Sequence, residues 1–74
     1  MQNVEFNVDA LALAIDAVRG SKGMNWKDVA EEAGISASTI SRILQGKKPD
    51  VDNLAKLLNW CGMDFRRFIQ EEKQ

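Results

Sequence analysis

Histidine and tyrosine are absent from this chain, cysteine and proline occur once each, and apolar runs are short. Each gap excludes something. Without histidine the commonest general base is missing, and the Ser-His-Asp arrangement with it. The lone Cys61 cannot form an internal disulfide, and a zinc site would lack ligands converging on one point. No glycine loop of the phosphate-cradling kind is visible either, so no enzyme, cofactor, metal or small-molecule ligand is expected. The longest apolar run, Ala10 to Ile15, is far below the roughly 20 residues that span a bilayer. The start, Met1-Gln2-Asn3-Val4-Glu5, has no basic stretch followed by an apolar core, as a signal peptide would. These gaps predict a cytoplasmic protein with no membrane partner.

What remains is an ordinary globular composition, 45% hydrophobic and 28% charged over 74 residues. That length predicts a single domain over 1–74 with a modest core and little space for a deep pocket. Glycines fall mostly between periodic segments, which favours helices. Asn7 predicts the cap of a first helix with Leu11, Ala14, Ile15 and Val18 at i, i+3, i+4, i+7 spacing. Gly20 to Gly23 ends it, and Met24 reads as an apolar plug. Asn25 caps a second helix, with Asp28 placed for a capping box. Gly34 turns the chain, Ser36 caps a third helix through Gln45, and Gly46 closes it. Asp50 caps a fourth helix in which Val51, Leu54, Leu57 and Leu58 repeat at helical spacing. Asp64 caps a short fifth helix with Phe65, Phe68 and Ile69, leaving a polar tail over 70–74.

The segment from Trp26 to Gln45 reads as a helix-turn-helix (about 25–45). Two short helices meeting at a steep angle need a small residue at the contact, which Ala30 supplies. Gly34 supplies the turn. Ile35 and Ile40 fill the wedge, and Val29 ties the first of the pair to the core. Ala37, Ser38, Thr39, Ser41 and Arg42 are then left on the outward side, with small polar groups, one guanidinium and no acid. A helix lying in the major groove presents such a surface. The formal charge is only −1 and the pI about 5.3, yet charge is segregated. From Ser36 to Pro49 the ionisable residues are Arg42, Lys47 and Lys48, all cationic.

From about Met24 to Met63 the chain resembles the phage-repressor-type helix-turn-helix family, the Cro/C1 or XRE class. The pattern Val29-Ala30, Gly34-Ile35-Ser36, Ser38-Thr39-Ile40-Ser41-Arg42-Ile43, Gly46-Lys47 and Pro49 stands in register, and Leu57-Leu58 with Gly62-Met63 continues it. The resemblance implies an all-α, compact five-helix, lambda-repressor-like domain of bacterial or phage origin that binds double-stranded DNA as a transcriptional regulator. It implies a repressor that reads the major groove with its third helix, as a homodimer on paired half-sites. Carried over by position, Ala37, Ser38, Thr39 and Arg42 contact bases. Asn25, Trp26, Lys27, Ser41, Lys47 and Lys48 contact phosphate. Two positions depart from the family pattern. Trp26 stands where glutamine is common, so the amide-to-phosphate contact is either replaced by an indole N–H or lost. Ala37 offers a thymine only a methyl contact and cannot hydrogen-bond a base.

Each of these residues also has an ordinary reading. Arg42 would be a paired surface residue, Lys47-Lys48 a solvated loop, and the hydroxyls merely tolerated in a helix. Trp60 reads as core or partner surface, Cys61 as a small buried hydrophobe, and Trp26 is ambiguous. Phe65 is expected in the core, while Trp60, Phe68 and Ile69 are candidates for a dimer surface. A rival from another class is a protein-interaction module on the same scaffold, such as an antitoxin or regulator-binding protein. The acidic pI and the weak hydrogen-bonding power of Ala37 and Ser38 support it.

Overall fold

Side-chain oxygens of Asn, Ser and Asp begin every helix, where the first backbone N–H groups have no intrahelical acceptor. The structure is a computed structural model that describes residues 3–72. Asn7 accepts from Ala10 N–H at 3.0 Å and starts α1, Val8–Lys22. Asn25 starts α2, Trp26–Ala33, through a reciprocal box. Its Oδ1 accepts from Asp28 N–H at 2.8 Å, and Asp28 Oδ2 accepts from the Asn25 N–H at 3.4 Å. Ser36 starts α3, Ala37–Leu44, and Asp50 starts α4, Val51–Cys61. All four caps fall at the residues that the sequence predicts.

The turn between α2 and α3 depends on Gly34, whose φ of 77° lies in the left-handed region where a Cβ is strained. Ala30 C=O accepts from both Gly34 N–H and Ile35 N–H at 3.0 Å, which closes the end of α2 and aims Ile35 inward. Leu11 and Ile15 of α1, Val29 and Ala30 of α2, Ile40 and Ile43 of α3 and Leu57 of α4 meet Ile35 in one core. Val18 is only half-buried. Val51 departs from the expected apolar face: it is 80% exposed, because it is the first residue of α4 and precedes the turn that packs.

Among the described residues the expected fifth α-helix is absent, and the expectation of five helices is corrected to four α-helices plus a small sheet. Asp64 does cap, accepting from Arg66 N–H at 2.8 Å, but only a four-residue 3₁₀ turn follows, Phe65–Phe68. At Ile69 the backbone becomes extended, with φ −89° and ψ 130°. The chain continues as β2, Ile69–Glu72, antiparallel to β1, Asn3–Phe6, with Phe6 opposite Ile69 and Val4 opposite Glu71. Asn7 N–H donates to Phe68 C=O at 2.6 Å and carries the ladder to the start of α1. Thus most of the expected polar tail is strand, and residues 73–74 lie outside the described residues.

Phe65 and Phe68 exchange their expected places. Phe68 is 2% exposed and belongs to the core, whereas Phe65 is 46% exposed. Phe6 is the reason: entering from the other end of the chain, it stacks on Phe65 at 5.6 Å and meets Phe68 at 6.0 Å between ring centroids. Phe68 is therefore removed from the candidate dimer surface.

Candidate nucleic-acid interface

Burial of Ile40 and Ile43 fixes the rotation of α3, so the face opposite them points outward. Ala37, Ser38, Ser41 and Arg42 are exposed, and Thr39 is half-buried. The hydroxyls at the start of α3 are partly committed. Ser36 Oγ accepts from Thr39 N–H at 3.1 Å and lies 2.8 Å from Thr39 Oγ1 and 3.2 Å from Ser38 Oγ. Among the described residues the Ser41 hydroxyl is engaged only by Gln45, whose side-chain amide stands 3.5 Å from its Oγ. Arg42 is the one cation on this face and, among the described residues, has no carboxylate partner.

The loop after α3 folds back on the helix end. Lys47 N–H donates to Arg42 C=O, and Gly46 N–H to Ile43 C=O, each at 2.9 Å. Gly46 permits this with a φ of 93°. Both lysines are thereby brought beside Arg42. Thr39, Arg42, Lys47, Lys48, Asp50 and Asn53 line a cleft of about 270 Å³ that ends at the start of α4. It contains one acid, which the sequence segment to Pro49 does not reveal. Asp50 is committed to its cap, accepting from Asn53 N–H at 2.8 Å. The lysines differ: Lys48 Nζ stands 3.3 Å from Glu5 Oε1, whereas Lys47 has no carboxylate partner among the described residues.

The start of α2 holds the remaining expected phosphate contacts. The Asn25 side chain is occupied by its capping box. Lys27 is exposed. Trp26 is half-buried beneath Arg19, whose guanidinium lies 5.0 Å from the ring centroid. Arg19 is itself fixed, donating to Asp16 Oδ1 at 2.7 and 2.9 Å and to Met24 C=O at 2.9 Å. Among the described residues no protein group accepts from the Trp26 indole N–H, which leaves it available beside the backbone N–H groups of a helix start.

Acidic residues gather elsewhere. A shallow depression lined by Met24, Asp28, Glu31 and Glu32 shares no residue with the cleft beside Arg42. Glu32 accepts from the Trp60 indole at 2.9 Å and faces Lys22 at 3.4 Å, and these bonds hold its carboxyl below the ordinary glutamate value. Trp60, expected as core or partner surface, is a half-buried strut between α4 and α2, with Lys22 Nζ 5.2 Å from its ring centroid. Burial raises the Cys61 thiol above its ordinary value, which suits an inert residue.

The outward face of α3, its companion loop and the start of α2 thus form the expected helix-turn-helix geometry. A helix-turn-helix family model matches residues 15–68, most of the chain. The chain belongs to the helix-turn-helix family, in its Cro/C1 or XRE class. Comparison with curated proteins and with solved structures found no match. This family is one of DNA-binding regulators and is not an enzyme family. No helix among the described residues of this helix-turn-helix protein is long and apolar enough to cross a membrane. Sequence reading passes over Glu5 and Asn53, and sees Asp50 only as a helix cap; all three join the loop from other elements. For Glu5 the only signal would have been tertiary, since it meets Lys48 from the opposite part of the chain.

Proposed function

We propose that this chain is a sequence-specific double-stranded DNA-binding repressor that inserts α3 into the major groove. The observation that carries the reading is the outward face of α3, which bears no acid and an Arg42 without a carboxylate partner among the described residues, and is continued by Lys47 and Lys48. Ala37, Ser38 and Thr39 supply small contacts at base edges. Arg42 supplies the strong one, because a guanidinium can hydrogen-bond guanine at two positions. Trp26, Lys27, Ser41, Lys47 and Lys48 address phosphates, together with backbone N–H groups at the Asn25 cap. Repression by occupancy needs nothing beyond this surface.

The chain acts as a homodimer on paired half-sites, with Ile69 and the exposed edge of Trp60 as the apolar groups available to a partner. Selection of bound sequences from a random duplex pool tests the proposal. The expected outcome is an enriched motif with two half-sites about one helical turn apart. On that motif Arg42→Ala should cost about 1–3 kcal/mol and relax preference at one base position. An unenriched pool, or unchanged binding by Arg42→Ala, would remove α3 as the reader and favour a protein-binding role for the scaffold.

A further inference from the structure

The two adjacent lysines of the α3–α4 loop have different electrostatic surroundings. Lys47 faces the cleft beside Arg42 with no carboxylate partner among the described residues. Lys48 lines the same cleft but reaches Glu5 of β1 at 3.3 Å. A second acid stands close by: Asp9 Oδ1, in the first turn of α1, lies 3.8 Å from where a Cβ on Gly46 would be. The loop that would meet a DNA phosphate therefore already meets carboxylates from the start of the chain. The backbone that carries Glu5 is held in place, since β1 is paired with β2 and Asn7 N–H is bonded to Phe68 C=O at 2.6 Å.

We propose that Glu5 is an affinity-limiting residue that stands in for a DNA phosphate on Lys48. In the unbound chain it neutralises Lys48 and steadies the loop. On DNA the same ammonium has to exchange a carboxylate for a phosphate, so its contribution to affinity is the difference between two ion pairs. The terminal hairpin thus keeps nonspecific binding weak while Arg42 and α3 remain unopposed. This inference rests on the proposed DNA-binding role and refines it. It also accounts for the pairing of one loop lysine and not its neighbour.

The pair is half-exposed on both sides, with 53% and 52% of the side-chain surfaces accessible. Its effect is therefore that of a surface ion pair, roughly a 2- to 5-fold change in affinity. Duplex-binding titrations across a salt series should show Glu5→Gln binding roughly 2- to 5-fold more tightly to all sequences alike. Its salt slope should steepen by a fraction of the roughly 0.9 that one phosphate contact contributes. In a Lys48→Ala background the gain should vanish. Glu31→Gln makes the same change in net charge in the acidic depression and should leave affinity nearly unchanged.

A gain from Glu5→Gln that persists without Lys48, or that Glu31→Gln reproduces, would overturn the proposal in favour of general charge repulsion. An unchanged affinity would overturn it outright. Should neither the parent chain nor Glu5→Gln bind any duplex, the DNA-binding reading fails and the loop contact is judged separately. Amide hydrogen exchange at Gly46 and Lys47 in the unbound chain should then quicken in Glu5→Gln, and unchanged exchange would sink the pairing itself.

Discussion

Glu32 receives the Trp60 indole at 2.9 Å and Lys22 at 3.4 Å, so three separated stretches of chain meet at one carboxylate. The hydrogen bond from Trp60 is the largest cause of its lowered pKa, with Lys22 adding to it. A carboxyl lowered in the folded state stabilises the fold above its unfolded value. That stabilisation is lost as pH falls through the folded value. Trp60→Phe keeps a ring beneath Lys22 but removes the donor. NMR titration of the Glu32 carboxyl should then show its midpoint moving up towards that of an ordinary glutamate. The stability gap between the two proteins should be widest near neutral pH and narrow in the acid range below that midpoint. An unmoved midpoint would mean that Lys22 alone sets this charge. None of this was legible from sequence, where Trp60 shows only as an aromatic at helical spacing. Arg42 is the opposite case, because burial of Ile40 and Ile43 determines its outward direction from spacing alone.

Among the elements, the four α-helices were legible because their signals are local. Asn7, Asn25, Ser36 and Asp50 sit one residue before runs with a 3.6-residue period, and a cap needs only neighbours to act. The sheet was not legible. β1 and β2 are four residues each, too short to show a period, and they pair from opposite ends of the chain. That pairing ends the 3₁₀ turn at Phe68 and brings Phe6 onto the aromatic pair, which reverses the expected roles of Phe65 and Phe68. Denaturant unfolding should separate those roles. Phe68→Ala, at a fully buried position, should cost about 3–5 kcal/mol. Phe65→Ala loses mainly its stacking on Phe6 and should cost about 1 kcal/mol. Equal losses would mean that the hairpin does not order these rings as described.

At the scale of the whole molecule the net charge of −1 conceals a partition. Asp28, Glu31 and Glu32 surround one depression, while Arg42, Lys47 and Lys48 border another with α3 beside it. The cationic make-up of that segment is visible in the sequence. It could not show that Glu5, Asp9 and Asp50 converge on the loop, because only the folded chain brings β1 and the starts of α1 and α4 to it. Long-range attraction to DNA should consequently be modest, and affinity should rest on a few close contacts that salt readily weakens. The most direct test is a fluorescence-anisotropy titration of the full chain on a random-sequence duplex at low salt, repeated as salt is raised. Binding whose logarithm falls linearly with the logarithm of salt is the predicted result, with Lys47→Ala flattening the slope by about 0.9. No binding at high protein concentration, or binding indifferent to salt, would contradict a DNA-binding role for this surface.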